Sequence, residues 1–167
     1  HVLGLETDGQ NVAHFASLFR DNPSQWQIFL NQERIAGPFY HIGNFELEDG
    51  ILAYDAGVLG RVNIYRGSQQ IAGPFYYVQN LYIKGGKIIF AAQKVEDGPW
   101  YLYEDEELIG GPYLNSLLGF EIDFLDGRLF YLGQDKEGYF LFDRGEKVLG
   151  PYEKAHGLKI DEGNVHF

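Results

Sequence analysis

Apolar and polar residues alternate with period two in five short segments: Leu3-Gly4-Leu5-Glu6, Phe45-Glu46-Leu47-Glu48, Leu81-Tyr82-Ile83-Lys84, Phe120-Glu121-Ile122-Asp123 and Leu158-Lys159-Ile160-Asp161. Such alternation predicts a strand with one buried face, here strand A. Each segment leads into a turn signal: Asp8-Gly9, Asp49-Gly50, Gly85-Gly86, Asp126-Gly127 and Glu162-Gly163. Most of these pairs suit a type I′ hairpin, which needs positive φ at both central residues. After the turn the pattern becomes a near-continuous apolar run, over residues 12–17, 51–54, 87–92, 128–132 and 164–167. Such runs predict central strands, B, buried on both faces.

Strand C is aromatic: Trp26-Gln27-Ile28-Phe29, Val62-Asn63-Ile64-Tyr65, Trp100-Tyr101-Leu102-Tyr103 and Tyr139-Phe140-Leu141-Phe142. A short polar turn then leads to strand D, which ends at Gly37-Pro38-Phe39, Gly73-Pro74-Phe75, Gly111-Pro112-Tyr113 or Gly150-Pro151-Tyr152. Pro is tolerated in an outer strand, where the ladder bond it cannot donate is not needed. These marks recur at steps of 36, 38 and 39 residues and account for four of the six prolines. Repetition at that period predicts one supersecondary unit copied along the chain.

Four antiparallel strands in about 38 residues is the size of one β-propeller blade. The order of apolar strand, Asp-Gly turn, apolar strand, aromatic strand and short last strand resembles the WD-repeat-like propeller repeats of the periplasmic Tol-system type. The resemblance covers nearly the whole chain and is best over residues 120–152. Where that family has Ser-Pro-Asp-Gly this chain has Leu125-Asp126-Gly127 or Glu48-Asp49-Gly50, and its D strand ends in Gly-Pro-aromatic. The expected fold is all-β: one propeller domain over residues 1–167, with blades at 2–39, 40–75, 76–113 and 114–152 and a partial blade at 153–167. The last copy supplies only strands A and B. Three readings of the count stand: a fragment of a larger propeller, a five-bladed ring with a two-stranded last blade, or a sheet completed by another segment or chain.

Composition narrows the partners. The 167 residues carry 24 acidic and 13 basic side chains, a net charge of −11. That excess disfavours nucleic acid and anionic membrane surfaces, which attract basic patches. No apolar run reaches the roughly 18 residues of a membrane-spanning helix, so no membrane insertion is expected. No signal peptide is visible and the chain has no Met, which fits a processed exported protein or an excised fragment. With no Cys there is no thiol nucleophile or thiolate metal site, and the absence fits a reducing cytoplasm and a disulfide-free exported chain equally.

No catalytic motif emerges. The four serines lie in no Gly-x-Ser-x-Gly elbow, and Gly85-Gly86 opens no phosphate-binding helix. The histidines show no HxH or HExxH spacing, so no metal and no cofactor is expected. His14, in an apolar strand, reads as a hydrogen-bonded core residue. Glu46 and Glu121 read as solvent-facing, and Glu104-Asp105-Glu106-Glu107 as solvated turn charge or, more sharply, a cation site. Trp26 and Trp100 read as packing between blades, with sugar stacking as the alternative.

In a propeller the D–A and B–C loops share one face. The D–A segments, residues 40–44, 76–80, 114–117 and 153–156, differ between copies, and variable loops on a repeated scaffold are where recognition is encoded. The candidate ligand-binding residues are His41, Asn44, Tyr77, Gln79, Asn80, Asn115 and His156. The expected function is non-catalytic recognition of a protein or peptide through that face. The alternative is carbohydrate binding at blade junctions; a glycosidase, which needs paired carboxylates, stands third.

Overall fold

A computed structural model describes residues 2–17, 25–114, 122–161 and 164–166. Among them every regular element is a strand. Four four-stranded antiparallel sheets and one hairpin follow one another along the chain. Sheet 1 holds β1 (Val2–Thr7), β2 (Val12–Ser17), β3 (Trp26–Leu30) and β4 (Glu33–Phe39). Sheet 2 holds β5 (His41–Glu48), β6 (Ile51–Val58), β7 (Arg61–Arg66) and β8 (Gln69–Phe75). Sheet 3 holds β9 (Tyr77–Lys84), β10 (Lys87–Gln93), β11 (Trp100–Glu104) and β12 (Glu107–Tyr113). Sheet 4 holds β13 (Ile122–Leu125), β14 (Arg128–Asp135), β15 (Gly138–Asp143) and β16 (Glu146–Tyr152), and sheet 5 the pair β17 (Lys159–Asp161) and β18 (Asn164–His166).

The turn chemistry set these hairpins. Asp49-Gly50, Gly85-Gly86 and Asp126-Gly127 have φ of 49° and 77°, 57° and 78°, and 51° and 75°, as a type I′ turn demands. Asp8-Gly9 departs from the expectation, since β1 and β2 are joined by four residues and Gly9 alone takes positive φ there. The reason is the Asp8 carboxylate, which accepts hydrogen bonds from the Gln10 and Asn11 amides and stabilises a longer loop. Glu162-Gly163 lies outside the described residues.

Each sheet buries its faces against its neighbours. Along β6, Tyr54 and Leu52 join the core shared with sheet 1, while Ala53 joins that shared with sheet 3. Along β10, Ile88 and Phe90 turn to sheet 2, and Ile89 and Ala91 to sheet 4. Period-two strands with both faces apolar thus make a stack of inter-sheet cores rather than one central core. Contacts step in order: β1 on β5, β5 and β6 on β9, β12 on β14, β13 on β17.

The Gly-Pro-aromatic mark has a definite mechanical role. In all four D strands three residues run where the partner strand spends two, as between Ala36 and Phe39 opposite Ile28 and Trp26. The extra residue is a β-bulge, which re-aims the side chain that follows it. The glycine has φ of 109°, 109°, 112° and 120°, and at Gly73 a Cβ would stand 2.9 Å from the Val62 carbonyl oxygen, so a side chain does not fit. The re-aimed ring enters the next sheet. Phe39 packs on Tyr54 and Tyr65, Phe75 on Phe90 and Tyr103, and Tyr113 on Tyr131 and Phe142. Each receiving pair is itself stacked across strands B and C, at centroid distances of 5.1–5.2 Å.

The two ends differ from the middle. In sheet 1 the corresponding stacked pair is His14 on Phe29, 5.0 Å apart, on the face turned away from sheet 2. His14 is therefore half-buried beside a ring, not in a closed core. At the other end Tyr152 remains 37% exposed and all of β16 is exposed, because sheet 5 covers only the inner part of sheet 4 through Ile160 and Val165.

Candidate functional site

A cleft of about 690 Å³ opens between sheets 2 and 3, at the end where the chain crosses from one sheet to the next. It contains five of the seven residues singled out in the sequence: His41, Asn44, Tyr77, Gln79 and Asn80. They are not on loops. Crossings of one residue, Tyr40 and Tyr76, place all five within β5 and β9. Polar residues at the solvent end of a strand interrupt the apolar alternation and so resemble a loop in sequence. Asn115 lies outside the described residues. His156 is exposed between β16 and β17 and does not line this cleft.

The floor is a carboxylate that the sequence reading passed over. Asp55 lies in β6, only 3% exposed, at a position occupied by Phe15, Ala91 and Leu132 in the other sheets. Strand B was expected to end at Tyr54, whereas β6 runs to Val58 and carries Asp55 inside the buried phase. The missed signal was a carboxylate at a position that the repeat otherwise fills with apolar residues.

A second bulge creates room for it. Gly43 and Asn44 of β5 together oppose the single residue Asp55. The Asn44 amide donates to Asp55 Oδ1 at 2.5 Å, and Asn44 Nδ2 donates to the same oxygen at 2.6 Å. A side chain at Gly43 would collide with the carboxylate. Burial pushes the Asp55 carboxyl above its ordinary range, against the pull of the Asn44 hydrogen bonds and of His41. Asn80 stands at the equivalent offset ahead of its own turn, at a bulge of β9 with φ of 53°.

The rim is apolar and aromatic. Tyr40 is 67% exposed, Leu59 in the β6–β7 turn is 81% exposed, and Val58 and Tyr77 are exposed beside them. Tyr77 is held edge-on against Trp100, with centroids 6.0 Å apart. Trp100 itself is buried between sheets 3 and 4, and Trp26 packs into the sheet 1–sheet 2 core, so both tryptophans serve packing.

A second cleft, between sheets 3 and 4, holds its own charge balance. Lys147 pairs with Asp135 at 2.6 Å and Glu137 at 3.1 Å, and sits 3.7 Å over the Phe140 ring. Within the acidic run, Glu104 and Asp105 are likewise engaged rather than simply solvated, while Glu106 and Glu107 are exposed. Arg66 of sheet 2 meets Asp105 at 2.6 Å, Lys87 approaches both Asp105 and Glu104, and Arg144 of sheet 4 reaches Glu104. Burial opposes the Asp105 charge, yet the Ile88 amide, Arg66 and Lys87 together hold its carboxyl below the ordinary range. Glu46 is half-buried, contrary to expectation, and burial followed by Glu6 and Glu48 raises its carboxyl. Glu121 lies outside the described residues.

Among the described residues no three His, Asp or Glu side chains gather as a metal site. No family model matches the chain, and no curated protein matches it.

Proposed function

We propose that this chain is a non-catalytic recognition module in which the four-stranded sheets are blades of a WD-repeat-like propeller and a protein or peptide segment binds in the cleft between sheets 2 and 3. The observation that carries this reading is a buried carboxylate, Asp55, beneath an exposed rim of Tyr40, Tyr77, Val58 and Leu59. Binding clefts pair an apolar wall with a few polar groups that fix orientation. Exposed aliphatic side chains beside tyrosines favour a peptide. The floor is not repeated, since the matching positions hold Phe15, Ala91 and Leu132, and a lectin with one site per junction would need it to be. Among the described residues Asp55 is also the one Asp or Glu lining the cleft, whereas glycoside hydrolysis calls for two.

Panning a random peptide library against the protein tests the reading. Selected peptides are expected to lose about tenfold in affinity with Leu59→Ser, since removing an exposed anchor of that size is worth roughly 1–2 kcal/mol. Peptides indifferent to Leu59→Ser, or saccharide binding on a glycan array, would overturn it.

A further inference from the structure

We propose that the group received at the floor of this cleft is the side-chain ammonium of a lysine in the bound peptide, an inference that rests on the peptide-binding reading above. Among the described residues Asp55 is buried, lies in no ion pair, and shares the cleft with no Lys or Arg. His41 in the lining favours the carboxylate without forming an ion pair with it, so much of the desolvation cost stands and a ligand that brings a full cation recovers it. The chain's net charge of −11 adds a field that attracts the same sign of ligand.

The hydrogen bonds then select among cations. Both Asn44 donors fall on Oδ1, which leaves Oδ2 as the acceptor for an incoming group. An arginine fork is best satisfied by two carboxylate oxygens side by side, whereas a lysine ammonium is a compact point charge that needs one. The walls fit the rest of the side chain. Val58, Leu59 and Val62 offer apolar surface to a four-methylene stem, and Tyr40 and Tyr77 offer rings to its charged end. The second cleft differs because Lys147 of its own lining already pairs with Asp135 and Glu137.

The test uses the whole chain and two kinds of probe. In an amide-resolved NMR titration, Nα-acetyl-lysine methylamide is compared with the neutral Nε-acetylated and norleucine analogues and with the arginine analogue. The lysine probe is expected to shift the Asn44, Gln79 and Asn80 signals, with the neutral analogues at least tenfold weaker and arginine weaker than lysine. Asp55→Asn keeps the size of the side chain and an acceptor for Asn44, so its spectrum should stay folded while lysine affinity falls at least tenfold. Equal binding of norleucine, preference for arginine, or an unaffected Asp55→Asn would overturn the lysine assignment. The library-selected peptides separate the two levels: peptides that occupy the cleft without a lysine sink this inference and leave peptide recognition standing. Peptides that never perturb the cleft sink both.

Discussion

On the proposed reading, Asp55 sets binding against stability at a single residue. Its folded-state carboxyl is raised by burial, so the native state holds its proton more tightly than the unfolded chain, whose carboxyl titrates near 3.8. Stability therefore falls as pH climbs from that value through the folded-state titration, and the full cost is present above it. Asp55→Asn has no such charge. Its thermal midpoint should exceed that of the native protein at pH 7, and the gap should close as pH falls to about 4. His41 favours the Asp55 carboxylate, so its removal in His41→Ala should widen the gap. A native protein more stable than Asp55→Asn at pH 7 would mean that Asn44 already compensates the charge. The sequence held this residue in plain view, but a strand boundary set at Tyr54 left it one position outside the pattern.

At the scale of elements, the Gly-Pro-aromatic mark works as a joint between sheets. Phe75 illustrates it: the bulge at Gly73-Pro74 delivers a 6% exposed ring onto the Phe90–Tyr103 stack of the following sheet. Removing it leaves a void between two stacked faces. Phe75→Ala should cost about 3–5 kcal/mol in a urea titration, as deletion of a buried aromatic does. The same change at Tyr152, 37% exposed, should cost about 1 kcal/mol or less. Equal losses at the two positions would show that the joint does not depend on the receiving stack. The strands and most tight turns were legible because alternation and positive-φ turn residues are local signals. The bulges were not, because an extra residue is defined by the partner strand. The ion pairs linking Arg66, Asp105, Glu104 and Arg144 were hidden for the same reason, since they join sheets about 40 residues apart in sequence.

Across the whole molecule, sheets 2 and 3 are covered on both faces, whereas sheet 1 turns His14 and Phe29 outward and sheet 4 leaves β16 exposed. In a stack whose units touch only their neighbours, stability is a sum of unit and interface terms, and the ends open before the middle. Native-state hydrogen exchange should therefore be slowest in β6, β7, β10 and β11 and progressively faster through β16, β17 and β18. The cleft lies at the junction of the two sheets covered on both faces, so on this reading its floor is preformed and a ligand would need little ordering to enter. Leu59, in the β6–β7 turn, stands 81% exposed at the rim. Uniform protection across all sheets would overturn this gradient. It would signal instead a ring that closes in solution and opens all at once, with the outward face of sheet 1 covered as the others are.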